Sequence, residues 1–341
     1  MKSIGSGFDA AWELDLFGKT KRSSESATAL LAAKEAGLHD ARVSLAAEVA
    51  GNYVEYRAGR LKQKYYEEQA ESQEKTFDLT LLSAKAGFTA DADVRLAEAA
   101  LAETKATALA QKAECSILIK SLVALTGMEE ADLKGILGND RASLPRPEGF
   151  QVTSVPADLL RQRPDIVVTE RELASASALI DVAEAAQWPS LTLVGSVGIM
   201  KTKGTSVTAP WSFGPSLNLP IFDGGSINAG IKSAKADYQS ALAGYKQTVR
   251  DAVKEVEQAL VRLDSLTLRE VEEEKSARGY RAYLTAVEKN YRSGGASMLE
   301  LETARRSTIS AEVSLLALQQ NRLLYWIALY KAVGGGFQTG E

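Results

Sequence analysis

No proline interrupts the chain from Ile221 to its last residue; within that stretch apolar side chains recur at Ile227, Ile231, Ala234, Tyr238, Leu242, Tyr245, Val249, Val253, Val256 and Leu260. Steps of 4, 3 and 4 set Ile227, Tyr238, Val249 and Leu260 eleven residues apart. That is about 3.67 residues per turn, which keeps an apolar stripe nearly straight along a helix. The next step, to Leu263, is 3 and marks a change of winding. A helix over 224–293 follows, on the order of 100 Å long at about 1.5 Å per residue. It ends at Gly294–Gly295, and a returning helix is expected over 296–333.

All eight prolines lie between Pro145 and Pro220, so two helix-rich blocks flank a middle with turns and strands. The blocks read as internal repeats. With a shift of 207, Glu48-Val49 falls on Glu255-Val256, Gly87 on Gly294, Asp93-Val94 on Glu300-Leu301, Ala97 on Ala304, Leu122 on Leu329 and Gly127 on Gly334. Repeat 1 is expected over 1–127, with a strand at 8–17, a long helix at 19–86 and a returning helix at 89–126. Its first strand and helix are expected upstream, so the sequence reads as starting inside a repeat. A linker at 128–155 follows. Repeat 2 is expected over 156–337, with a helix at 156–187, strands at 190–199 and 211–222, and the hairpin just described.

Those three strands alternate with period two. Ala10, Trp12, Leu14 and Leu16 stand opposite Glu13 and Asp15; Leu191, Leu193, Val197 and Ile199 opposite Thr192, Ser196 and Gly198; Trp211, Phe213, Leu217, Leu219 and Ile221 opposite Ser212, Gly214, Ser216 and Asn218. Their length suits tilted bilayer-crossing strands, and Trp12, Trp188 and Trp211 stand near strand ends, where an aromatic belt meets headgroups. A half-buried strand in a soluble sheet gives the same pattern. Three strands cannot close a barrel alone, so membrane strands would require several chains.

Other chemistries find little support. A net charge of −4 gives no electrostatic case for nucleic acid. One cysteine (Cys115) and one histidine (His39) remove cysteine clusters and His-pair metal sites. No phosphate-cradling glycine loop or nucleophile–base spacing is evident, so neither an enzyme nor a cofactor is expected. There is no apolar run of about eighteen residues for a transmembrane helix, and Met1–Gly7 has no apolar core for a signal peptide.

The stretches WELDLFGK (12–19), VPADLLRQRPDI (155–166), AAQWPSLTLVGSVG (185–198), WSFGPSLNLPIFDGG (211–225) and LYKAVGGGF (329–337) resemble the outer-membrane efflux protein family. This is the TolC-like group, nearest its OprM/NodT-type branch, many of whose members are lipoproteins. The resemblance implies a mainly α fold with a few β-strands. Long antiparallel helical hairpins would form an α-barrel, the periplasmic tunnel, and the strands would join a trimeric transmembrane β-barrel. It implies a homotrimer in the bacterial outer membrane with a periplasmic portion, an exit duct working with a periplasmic adaptor and an inner-membrane RND-type pump.

Residue roles follow from the same resemblance. The tips Lys85, Gly87, Phe88 and Thr89, and Arg292, Gly294, Gly295 and Ser297, would meet the adaptor; both glycines also suit plain helix termination. Asp93 and Glu300, joined by Asp91 and Glu302, would constrict the pore, with Tyr291 bonding across helices. Acidic first turns that complement the helix dipole, and a packing ring, are the alternatives. Glu13 and Asp15 would face the barrel lumen or serve as turn carboxylates. The linker glycines and prolines would form an equatorial collar, and Arg163–Ile166 reads as a helix start. A soluble coiled-coil scaffold is the other function compatible with the hairpins.

Overall fold

Three antiparallel strands form one sheet in the order β1 (Ser3–Leu14), β2 (Ser190–Thr202), β3 (Trp211–Asn218). The computed structural model describes residues 3–138, 144–145, 162–202, 204 and 206–335. Helices are α1 (Lys19–Lys85), α2 (Asp91–Thr126), α3 (Glu130–Leu137), α4 (Pro164–Ala185), α5 (Ser226–Arg292) and α6 (Met298–Ala332). The chain divides into two units, one within 1–40 and 160–251 and the other within 41–159 and 252–340.

In the first unit, the register sorts side chains by face, because residues paired across strands point the same way. Phe8 pairs with Val197 and that with Trp211; Trp12, Leu193 and Pro215 form another row, as do Leu14, Leu191 and Leu217. The opposite face carries Asp9, Ser196 and Ser212 in one row and Glu13, Thr192 and Ser216 in another. Gly7 pairs with Gly198, and a Cβ on Gly7 would stand 2.9 Å from the Val197 carbonyl oxygen.

Strand bounds differ from the expected ones. β1 starts at Ser3 rather than 8; apart from Ile4, its first five residues are glycine and serine, which carry little strand signal. It ends at Leu14 because the Asp15 carboxylate turns back to accept from the Thr20 and Lys21 amides at 3.0 and 2.9 Å. That caps α1 and removes Asp15 from the sheet. β3 stops at Asn218, before Pro220, which has no amide to donate. α4 carries Pro164 in its first turn, and Arg163 Nε and Nη2 donate to the two oxygens of Asp165. α4 lies against α1 through the buried Ser26–Ser175 hydroxyl pair at 2.7 Å and the Arg22–Asp181 ion pair at 3.0 Å. Lys235 of α5 reaches Glu184 at 2.8 Å.

In the second unit, Tyr56 of α1, Cys115, Ile119 and Leu122 of α2, and Leu133 and Leu137 of α3 form one core cluster. Burial pushes the Cys115 thiol up, so it is a packing group rather than a thiolate. A second cluster joins Ala97 of α2, Val287 of α5 and Met298, Leu301 and Ala304 of α6. α3 was expected only as linker; its Glu130 carboxylate bonds both Lys120 and Lys134, which holds it well below the ordinary value, at about 2. The rest of the expected collar lies largely outside the described residues, as does the start of the helix expected from 156.

α1 and α5 have 67 residues each, and both bounds of α5 lie 207 positions after those of α1. Left-handed glycines recur with the same offset at Gly18 and Gly225, Gly87 and Gly294, and Gly127 and Gly334.

Candidate functional site

The two hairpin turns are built alike. At the end of α1, the Gly87 amide donates to the Ala84 carbonyl at 2.9 Å and the Phe88 amide to that of Ser83 at 3.0 Å. At the end of α5, Gly294 donates to Tyr291 at 3.0 Å and Gly295 to Asn290 at 2.8 Å. Both are Schellman caps, which require a left-handed residue after the helix; Gly87 (φ 80°) and Gly294 (φ 78°) supply it. The returning helices start differently. Ser297 Oγ accepts from the Glu300 amide at 3.1 Å, whereas Ala90 offers α2 no side-chain cap. Thr89 instead bonds Ser83 through the hydroxyls at 2.6 Å.

A groove of about 760 Å³ lies between the turns, lined by Thr76, Phe88, Asp93, Glu288, Tyr291 and Arg305 among others. At its wall Arg305 of α6 is buried. Its Nη1 donates to Thr76 Oγ1 at 2.7 Å, Gln73 Oε1 at 3.1 Å and Glu302 Oε1 at 3.2 Å, while Nη2 stands 3.7 Å from Glu288. One guanidinium thus ties α1, α5 and α6 together. Arg305 Nε and Gln73 Nε2 have no hydrogen-bond partner among the described residues, so the network is not fully satisfied. Tyr291, half-buried, shares a 3.4 Å contact between hydroxyls with Thr80 of α1.

The acidic residues expected at the constriction separate into three situations. Asp93 is partly buried on the groove, and Glu300 is exposed. Asp91 is exposed beside Arg95 at 3.9 Å. Glu302 does not face open space as expected: it is 5% exposed and paired with Arg305. Lys85, Phe88, Thr89, Arg292, Gly294, Gly295 and Ser297 lie at the turns, with Phe88 fully outward and the Thr89 side chain partly buried. Arg305 is not among the residues expected from sequence; the signal for it is its spacing of three from Glu302, which puts both on one helix face.

The sheet forms the second feature. Phe8, Trp211 and Phe213, on one face, are 84%, 77% and 73% exposed. Trp188 stacks on Phe17 with ring centroids 5.3 Å apart. Trp12 stands on the Leu193 row, between the levels of Trp211 and Trp188. On the opposite face Ser196 and Ser212 share a 2.8 Å hydroxyl contact, and Glu13 meets Lys19 at 3.4 Å. No described helix is long and apolar enough to cross a membrane, and no described group of His, Cys, Asp and Glu is placed to hold a metal ion.

The profile of a family described as outer membrane efflux protein matches residues 1–128 and 155–335. Nodulation protein T of Rhizobium leguminosarum bv. viciae is 34% identical over 334 residues, which is 96% of this chain and 68% of that protein. The toluene efflux pump outer membrane protein TtgC of Pseudomonas putida is 30% identical over 97% of this chain and 69% of its own length. The solved outer-membrane channel OprN superposes with a TM-score of 0.83 at 31% identity, covering 99% of this chain and 82% of that one.

Proposed function

Because the chain belongs to the outer membrane efflux protein family, a family of channels rather than enzymes, we propose that it is the outer-membrane exit duct of a tripartite efflux system. Its place is the outer membrane, with a periplasmic portion. It conducts small toxic solutes passively, as a homotrimer, from a periplasmic adaptor and an inner-membrane pump to the outside.

The observation that carries this reading is the uncovered apolar face of the sheet. Phe8, Trp211, Phe213 and Leu217 would each gain roughly 1.5–3 kcal/mol on leaving water, and none of the described residues in the sheet's own unit covers them. Lipid on that side and a shared aqueous lumen on the Asp9–Ser196–Ser212 side satisfy both faces at once. Depth agrees. Val197, the partner of Trp211, is nine positions after Trp188. At about 3.3 Å per residue and a tilt of about 40°, that is roughly 23 Å along the membrane normal, near the ~25 Å apolar band of such barrels.

At the other unit, the groove between the turns is the gate. Arg305 and the Tyr291–Thr80 contact hold the second hairpin on the first. Asp93 and Glu300 from each chain ring the mouth and favour cations. Opening separates α5 and α6 from α1, and the adaptor meets the turns. The alternative, a soluble scaffold, leaves the sheet's apolar face in water.

The test is to produce the full-length protein in a Gram-negative host lacking its own duct. Recovery from outer membrane as a trimer that conducts in planar bilayers is the expected result. A soluble, non-conducting protein would overturn the reading.

A further inference from the structure

We propose that Asp9 sets the charge preference of the β-barrel section, making that section selective for cationic solutes independently of the hairpin turns. The inference rests on the channel reading above and adds a second determinant to it.

The register sorts the strand charges by face. On the face shared by Asp9, Ser196 and Ser212, the described strand residues carry two charges, Asp9 and Glu13, both negative, and no cation. The remaining side chains there are small or neutral, with Gly7 opposite Gly198, Ala11 opposite Val194 and Thr192 opposite Ser216. The single strand lysine, Lys201, pairs with Ile4 on the other face. The two carboxylates differ in surroundings. Glu13 has Lys19 Nζ at 3.4 Å, whereas Asp9 has no hydrogen-bond or ion-pair partner among the described residues and is exposed. Four residues of strand, about 13 Å, separate them, which is more than a Debye length at physiological salt.

Among the described strand residues, Asp9 is therefore the one uncompensated charge on that face. Its register neighbours Ser196 and Ser212 present hydroxyl oxygens, which can take over part of the hydration of a passing cation. In a trimer three such carboxylates stand at one level of the lumen. Enclosure by low-dielectric wall strengthens their field relative to open water.

The experiment uses the full-length protein in planar bilayers under a salt gradient, with reversal potential as the readout. Asp93→Asn with Glu300→Gln provides the parent background, so that carboxylates at the turns do not mask the barrel. That parent is expected to remain cation-preferring. Adding Asp9→Asn is expected to lower its cation-to-anion permeability ratio by about twofold or more, and Asp9→Lys to turn it anion-preferring. Conducting channels whose reversal potential is unmoved by both Asp9 changes would overturn the proposal alone. Absence of conductance from the unmodified protein would overturn the channel reading and this inference with it.

Discussion

Arg305 Nη1 donates to Thr76 Oγ1 at 2.7 Å, a bond between residues 229 positions apart that fastens the returning arm of one hairpin to the long arm of the other. Arg305 is the shared partner of groups on three helices, and its own Nε and the Gln73 Nε2 have no hydrogen-bond partner among the described residues. In the gate proposed above, this partly satisfied network is the fastening between the two hairpins.

Arg305→Ala is expected to leave Glu302 buried without its cation. Breaking a buried ion pair from one side costs about 3–5 kcal/mol. The variant should unfold earlier in denaturant and show larger, more frequently open channels. Arg305→Ala with Glu302→Ala should cost less than the two single changes together, as a double-mutant cycle on unfolding free energy would show.

Glycine substitutions at a turn and at a helix interior should have opposite signs. Gly294 sits at φ 78°, so Gly294→Ala is strained and is expected to lose about 1–2 kcal/mol. Gly279 is within α5 with open space where a Cβ would go, so Gly279→Ala is expected to gain roughly 0.5–1 kcal/mol. Thermal unfolding of the two variants checks both signs.

Neighbouring residues on the sheet should differ in tolerance of charge. Phe213→Lys places an ammonium against hydrocarbon two residues inside the Trp211 level, at a cost between the ~0–1 kcal/mol of the interface and the ~2–4 kcal/mol of the midplane, and should reduce recovery from the outer membrane. Ser212→Lys, one residue away on the opposite face, should insert normally. Western blots of outer-membrane fractions decide it.

The docking of α3 on α2 is expected to depend on acid pH. Lys120 and Lys134 hold Glu130 at about 2, below its ordinary value. A depressed carboxylate contributes stability that is complete above its unfolded value and disappears as pH falls through its folded one. Hydrogen-exchange protection in 130–137, corrected for the intrinsic exchange rate at each pH, should therefore fall as the pH drops from about 4.5 toward 2. Glu130→Gln should remove that dependence.

The long helices were readable because no proline or cap breaks their period; the expected 224–293 became Ser226–Arg292. The left-handed turns were readable from Gly87 and Gly294. The start of β1 was not, since Gly5, Ser6 and Gly7 look like a loop until they are seen against Met200, Ile199 and Gly198. Nor was α3, where Gly135 resembles a turn signal. Glu302 was assigned by its charge, although Met298, Leu301, Arg305 and Thr308 share its buried stripe. Arg305's partners on α1 are too distant in sequence for any local pattern to reveal.

Single cysteines at Ser212 and Phe213 test the central claim most directly, because the native Cys115 is buried and contributes little background. A membrane-impermeant thiol reagent applied to outer-membrane vesicles should label Ser212→Cys quickly and Phe213→Cys hardly at all, one facing a lumen and the other lipid. Equal, rapid labelling of both would mean that water bathes each face of the sheet, and would contradict the account.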